Sequence, residues 1–291
     1  MTSNKKNVAF VGLGVMGFPM AGHLANQGYN VTVYNRTTSK AQAWLDTYSG
    51  QLATTPALAA INADIVFVCV GNDDDLREVT SGADGVLKSM KDNTILVDHT
   101  TASADVAREL FAACKAQNIG FIDAPVSGGE AGAVNGQLTI MCGGNTETYE
   151  QVEPVMAAYA RFSKLLGEVG SGQIAKMMNQ ICIAGVVQGL AEALQFGQNA
   201  NIDCEAVVEV ISKGAAGSWQ MENRHKSMLD DHYEHGFAVD WMRKDLAIAL
   251  DEAKKNGSTL PLTALVDQFY ADVQKMGGNR WDTSSLLKRL V

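Results

Sequence analysis

Three short stretches of this chain bring together residue types that can do chemistry. The first is Gly12-Leu13-Gly14-Val15-Met16-Gly17, which follows an apolar run and opens a helical pattern. In that setting the first glycine makes the tight turn and the second lets a pyrophosphate approach the backbone. The third lets the helix pack on the strand, so the six residues form a candidate dinucleotide site. The second stretch is Asp123-Ala-Pro125-Val-Ser127-Gly128-Gly129, a strand end running into a small loop. Successive backbone amides with a hydroxyl make a cradle for a carboxylate, which marks Ser127, Gly128 and Gly129 as candidate substrate contacts. The third stretch, Gly170-Ser-Gly172-Gln-Ile-Ala-Lys176-Met-Met-Asn179-Gln180, places a lysine in what reads as the first turn of a long helix. A helix N-terminus carries partial positive charge, so an ammonium there is disfavoured and, when partly desolvated, tuned to release a proton. Lys176 is therefore a candidate general acid/base, with Asn179 and Gln180 on its helix face. The competing reading is a lysine that snorkels to water.

The end of the second strand bears on the choice of cofactor. An NAD-preferring site usually has a carboxylate about 20 residues after the glycines, to hold the ribose 2′-hydroxyl. This chain has Asn35-Arg36-Thr37 there, and a neutral amide beside a guanidinium suits a 2′-phosphate. The expected cofactor is NADP, with NAD possible. Val70 and Asn72 follow a strand that is apolar throughout, where the middle of a dinucleotide would lie, and Asp73-Asp74-Asp75 reads as the acidic first turn of a helix. The histidines at 23, 99, 225, 232 and 235 form no triad or metal spacing, so no metal is expected and nucleophilic chemistry is unsupported.

The elements that must position these residues follow two grammars. In the first, apolar runs at Val8–Val11, Val31–Tyr34, Ile65–Val70, Thr94–Val97, Gly120–Asp123 and Leu138–Cys142 alternate with helical patterns. Those helices are expected over Gly17–Gln27, Ser39–Tyr48, Pro56–Ile61, Asp73–Thr80 and Ser103–Gln117, with Thr55-Pro56 a capping pair. Such alternation specifies βαβ crossovers and a doubly wound, mainly parallel Rossmann-type sheet. In the second, Gly172–Asn199 runs without proline as a helix of roughly 40 Å. Its apolar positions lie nearly all round, which predicts burial on most faces. Shorter helices are expected over 203–213, 240–256 and 261–276, with no convincing strand. The fold class is α/β, with a dinucleotide-binding domain over 1–168 joined by the long helix to an all-helical domain over 169–291.

The 291 residues are 46% hydrophobic and 19% charged, the balance of a globular protein with ample core. A net charge of −9 argues against a nucleic-acid or anionic-membrane partner. Five widely spaced cysteines (69, 114, 142, 182 and 204) read as reduced thiols, and the N-terminus reads as a disordered lead-in to a strand, so the expected location is the cytoplasm. No stretch reads as the roughly 20 consecutive apolar residues of a membrane span.

Taken in order, the glycine motif, Asp98-His-Thr100-Thr101, the Asp123–Gly129 stretch, Gly170–Lys176 and Lys244-Asp245-Leu246 resemble a β-hydroxyacid dehydrogenase of the 3-hydroxyisobutyrate dehydrogenase type. The similarity runs from about Val8 to Leu286. It implies that Lys176 is catalytic, that Thr101 contacts the nicotinamide end, and that the Ser127–Gly129 loop holds the substrate carboxylate. It implies that Lys244 closes over the cofactor and that Phe237 and Asp245 line the cleft. It also implies a homodimer or homotetramer, with the domain over 169–291 serving substrate binding and oligomerisation. The family often has asparagine four residues after its lysine, where this chain has Gln180 with Asn179 just before it. The implied reaction interconverts a short hydroxy acid and its semialdehyde by hydride transfer to or from the nicotinamide cofactor. Alternatives are a glyoxylate or succinic semialdehyde reductase, an imine reductase (a group that generally lacks the lysine), and a non-catalytic NADP-binding module.

Overall fold

Strand β1 (Asn7–Val11) sends Val8 and Phe10 into one apolar layer and Ala9 and Val11 into another, and both layers are closed to water. A strand buried on both faces belongs in the middle of a sheet covered by helices on both sides. The computed structural model describes residues 5–291, so the lead-in read over the first residues lies outside the described residues. The remaining strands are β2 (Asn30–Tyr34), β3 (Gln51–Leu52), β4 (Ile65–Val68), β5 (Ile95–Asp98), β6 (Gly120–Asp123), β7 (Val126–Ser127), β8 (Leu138–Gly144) and β9 (Ala160–Leu165). The sheet order is β3-β2-β1-β4-β5-β6-β8-β7, with β9 on β8. Pairing is parallel from β3 through β6 and antiparallel from β6 to β8. The first six strands thus follow the dinucleotide-binding order, with the β1–β4 crossover point beside the glycine motif.

Helices α1 (Gly17–Asn26), α2 (Thr38–Thr47), α3 (Pro56–Ala60), α4 (Asp73–Ser81), α5 (Ala104–Lys115), α6 (Gly129–Val134) and α7 (Thr146–Met156) connect these strands. Their starts are set locally. Thr55 Oγ1 accepts from the Leu58 amide at 3.1 Å ahead of Pro56, and Ser103 Oγ accepts from Val106 at 3.1 Å. Three strands were not foreseen. β3 has only two residues, β7 lies in what reads as a loop, and β9 is an edge strand whose Arg161 and Lys164 hide its alternation. β4 ends at Val68 rather than Val70; the Cys69 carbonyl lies against Gly12 and the chain bends at Gly71 and Asn72.

The chain divides into two compact units between Lys176 and Met177, within helix α8 (Ser171–Asn199). The second unit holds α9 (Cys204–Ile211), α10 (Trp219–Leu229), α11 (Val239–Asn256) and α12 (Pro261–Lys275). Its core gathers Val187, Leu190 and Leu194 of α8 with Met242, Val266 and Tyr270.

Two expectations for the long helix are corrected. Burial is confined to one stripe, and Met178, Val186 and Phe196 are 63%, 39% and 74% exposed. Apolar residues all round a helix do not establish burial all round when the chain supplies packing partners on one side only. One 18-residue window of α8 also reaches a mean hydropathy of 1.2, long and apolar enough to cross a membrane by length and composition, with 44% of it buried within the chain. Lys176, Asn179, Gln180 and Gln188 interrupt the apolar residues of α8, so no unbroken apolar run of that length forms. Lys176 is moreover the sixth residue of the helix, hence in its second turn. The terminal dipole falls off within the first turn, so it contributes less to the lysine than the spacing implied.

Candidate functional site

The glycine motif divides into two closed positions and one open one. Gly12 has φ +98°, and a Cβ there would lie 2.2 Å from the Cys69 carbonyl oxygen. A Cβ on Gly17 would lie 2.0 Å from the Gly12 carbonyl oxygen, whereas one on Gly14 meets nothing within 4 Å. Gly14 and Val15 are exposed at the start of α1, while Leu13 is buried beneath them and Met16 is half-buried. Packing accounts for Gly12 and Gly17. Only Gly14 faces open space, where a pyrophosphate would approach the first-turn amides, so the residues present fit a bound dinucleotide.

Beside this loop, Asn35 Oδ1 accepts from the Leu13 amide at 2.9 Å, and Asn35 Nδ2 donates to the Thr37 carbonyl at 3.0 Å. Asn35 thereby ties the glycine turn to the end of β2. Arg36 is exposed and donates to Asp75 Oδ1 at 2.9 Å. Thr37, also exposed, is the N-cap residue of α2. Asn72 caps α4 by accepting from Asp75 N at 2.8 Å, and the Val70 amide donates to Thr100 Oγ1 at 3.1 Å.

The carboxyl ends of β5 and β6 place Asp98 opposite Asp123 in register. Asp98 is fully buried. Desolvation pushes its carboxyl up to about 7 against hydrogen bonds from the Thr100 hydroxyl and amide. Its Oδ2 has no hydrogen-bond partner among the described residues. His99 is pushed down to about 4 by burial; its Nδ1 lies 2.6 Å from the Ala124 carbonyl and its Nε2 2.8 Å from Tyr159 Oη. With Nδ1–H donating to the carbonyl, Nε2 accepts from the phenol, which satisfies the neutral ring in the core.

Asp123 reaches across to the start of α8. Its Oδ1 accepts from the Gly170 amide at 2.8 Å and its Oδ2 from the Gln173 amide at 2.9 Å. Burial pushes its carboxyl up to about 6, opposed by these amides. The Gln173 side chain is fully buried, with Oε1 accepting from Ala102 N at 3.0 Å and Nε2 donating to Thr100 O at 2.8 Å. One turn on, Lys176 is buried at 8% exposure. Ser127 and Thr101 are half-buried; Gly128 and Gly129 are exposed with φ +133° and +61°, a region that favours glycine. Sequence reading gave Gln173 no role and saw Asp123 only as a strand end. A polar residue opening an apolar helix was the available signal.

The second unit carries its own polar network. Gln180 Nε2 donates to Asp245 Oδ2 at 2.6 Å, and Asn179 Nδ2 donates to Gln180 Oε1 at 2.8 Å. Lys244 Nζ lies 3.1 Å from Asp245 Oδ1. The longer stem of glutamine is used to reach Asp245. Phe237 is half-buried, its amide donating at 2.8 Å to Asp282 Oδ2. No group of three or more His, Cys, Asp or Glu that could hold a metal is present among the described residues. A polar cavity lined by Lys5, Lys6, Asp64 and Lys91 lies at the amino ends of the strands, the wrong end for a dinucleotide.

Residues 7–178 match the NAD binding domain of 6-phosphogluconate dehydrogenase, and residues 170–290 match the NAD-binding region of NADP-dependent 3-hydroxyisobutyrate dehydrogenase. An uncharacterized oxidoreductase of Shewanella frigidimarina is 65% identical over 97% of each chain. The 2-(hydroxymethyl)glutarate dehydrogenase of Eubacterium barkeri is 31% identical over 97% of this chain and 93% of its own. Among solved structures, Mycobacterium tuberculosis 3-hydroxyisobutyrate dehydrogenase with L-serine superposes with a TM-score of 0.88 at 27% identity. That match covers 98% of this chain and 99% of the other.

Proposed function

The chain belongs to the β-hydroxyacid dehydrogenase family, of the 3-hydroxyisobutyrate dehydrogenase type, and from that premise we propose that Lys176 is its general acid/base. It is an NAD(P)-dependent hydroxyacid dehydrogenase. The proposed reaction interconverts a short 3- or 4-carbon hydroxy acid and its semialdehyde. The observation that carries this reading is a buried lysine one turn beyond a helix start tied to two strand ends.

When bound, NADPH would supply the hydride that reduces the carbonyl carbon. The Lys176 ammonium donates a hydrogen bond to the carbonyl oxygen, stabilises the charge developing there, and then transfers its proton; in oxidation it accepts that proton. Ser127, Gly128 and Gly129 hold the substrate carboxylate through hydroxyl and backbone amides. Asn179, Gln180 and Phe237 complete the substrate contacts. Gly12 through Gly17 take the pyrophosphate, Val70 and Asn72 the middle of the cofactor, and Thr101 its nicotinamide end, with Lys244 and Asp245 adding further contacts. Asn35, Arg36 and Thr37 set the preference for NADP through a 2′-phosphate. The exposed apolar residues of α8 support a homodimer or homotetramer, and the cytoplasm is the proposed location.

Initial rates of NADPH and NADH oxidation with glyoxylate, succinic, methylmalonate and tartronate semialdehydes test the reading, with Lys176→Ala run alongside. The expected result is turnover with one of these, about tenfold better with NADPH, and loss of about 100-fold or more in the variant. Undiminished turnover in Lys176→Ala would remove the lysine from the mechanism. Tight NADPH binding with no turnover on any aldehyde would favour a non-catalytic module instead. Arg36 favours the reductive direction, and with it a glyoxylate or succinic semialdehyde reductase as the second reading.

A further inference from the structure

We propose, on the reading of Lys176 as the proton donor, that Asp123 and Gln173 are positioning residues that hold the lysine in fixed register with Thr101 and with the Ser127–Gly129 loop. Three segments separated in sequence must meet the substrate and the nicotinamide beside it. Two buried polar side chains connect all three.

Asp123 is the last residue of β6, four residues before Ser127, and its two carboxylate oxygens take the Gly170 and Gln173 amides at 2.8 and 2.9 Å. The strand end that leads into the carboxylate loop is therefore bonded to the beginning of the helix that carries Lys176. The junction is packed to backbone contact. A Cβ on Gly172 would lie 2.5 Å from the Met141 carbonyl oxygen and 2.6 Å from that of Asp123. A Cβ on Gly143 would lie 2.6 Å from Asp123 Oδ1.

Gln173 makes the second connection. Its amide oxygen and nitrogen bind Ala102 N and Thr100 O, the backbone atoms on either side of Thr101. Lys176 follows three residues later on the same helix, about 4.5 Å along its axis. Both side chains are buried, and the partners of each are backbone groups that have no alternative rotamer. An ordinary helix cap satisfies amides with a residue adjacent in sequence. Here the bonds span 47, 50, 71 and 73 residues and converge on the places where substrate and nicotinamide are proposed to sit. Proton transfer depends steeply on placement, and a displacement of about 1 Å costs on the order of 100-fold in rate.

Gln173→Met keeps the volume and removes both amide bonds; Asp123→Asn puts an amino group against one backbone N–H. Either variant suffices if the other does not fold. For each, NADPH binding is titrated by fluorescence, and kcat and KM are measured per NADPH-binding site. The expected result is kcat lower by about tenfold or more, with the NADPH Kd and the aldehyde-acid KM within about threefold of wild type. In a Lys176→Ala background the added Gln173→Met change should alter the residual rate by less than about twofold, because the lysine it positions is gone. A purely structural role would lower the melting temperature and the number of binding sites while leaving kcat per site at the wild-type value. That outcome, or an equal loss in both backgrounds, overturns the proposal. Lys176→Ala measured alone separates the two ideas. If it retains turnover, the reading of the lysine fails; if it is inactive while Gln173→Met is not, only the positioning role fails.

Discussion

Asp123 in the first unit and Asp245 in the second are both buried and both bond to α8, but they are held in opposite ways. Asp123 is gripped by backbone amides of Gly170 and Gln173. Asp245 is gripped by side chains, Gln180 at 2.6 Å and Lys244 at 3.1 Å. A backbone amide in a helix start has nowhere else to go, so the first arrangement stores geometry. Side-chain partners have other rotamers, and the Lys244 side chain is partly exposed, so the second can be rearranged when a ligand offers a competing charge. The comparison teaches that a buried carboxylate fixes a site only as firmly as its partners are fixed.

The largest effect should come from breaking the rigid side. Asp123→Ala strands two buried amides, each worth about 1–3 kcal/mol, so urea unfolding should show a loss of roughly 2–6 kcal/mol. A loss below about 1 kcal/mol would mean that the start of α8 relaxes and that the two aspartates do not differ in kind. On the adaptable side, Gln180→Met removes the hydrogen bond to Asp245 and the one accepted from Asn179, and should cost about 1–2 kcal/mol in the same assay.

A pH series sharpens the contrast further. Native Asp98 keeps its proton up to about pH 7, whereas the unfolded chain loses it near the ordinary value of 3.8. The native state therefore binds more protons in that window, and this group makes stability fall as pH rises through it and stay level above. His99, held neutral by burial with its value pushed down to about 4, acts in the opposite direction: its contribution is present above 6.5 and is lost as pH falls toward 4. Asp98→Asn deletes the first contribution and leaves the second. The stability of the variant relative to wild type should therefore rise between about pH 4.5 and pH 7.5, measured by urea midpoints. A flat difference would mean that Asp98 is hydrated in solution.

The smallest stability change is expected at the exposed Arg36–Asp75 pair. Asp75→Asn should alter stability by less than about 1 kcal/mol, as exposed ion pairs do. It should also free the guanidinium, so the ratio of kcat/KM for NADPH over NADH should rise by about two- to fivefold. A fall in that ratio would mean that Asp75 orients Arg36 rather than competing for it.

Much of the fold was legible because its signals act over a few residues. Apolar runs alternating with helical patterns gave a mainly parallel sheet. Thr55-Pro56 and the acidic start of α4 marked helix ends, and the Gly12–Gly17 spacing marked a turn at which Gly12 adopts φ +98°. Each depends on neighbours that sequence spacing already brings together. Other features were not legible in this way. β7 and β9 exist because β8 offers them edges to pair with, and the one-sided burial of α8 depends on where the second unit supplies apolar partners. The bond from the amide of Gln180 to Asp245 joins residues 65 apart.

The sequence by itself determined a dinucleotide fold, its glycine turn and the family to which its lysine belongs, since these rest on short-range sterics and on motifs kept in order. Only the tertiary structure decided which backbone atoms Asp123 and Gln173 would hold, and hence where Lys176 stands. A hydrogen bond across 50 or 73 residues is selected by how strands and helix pack in space, and no local spacing records that choice.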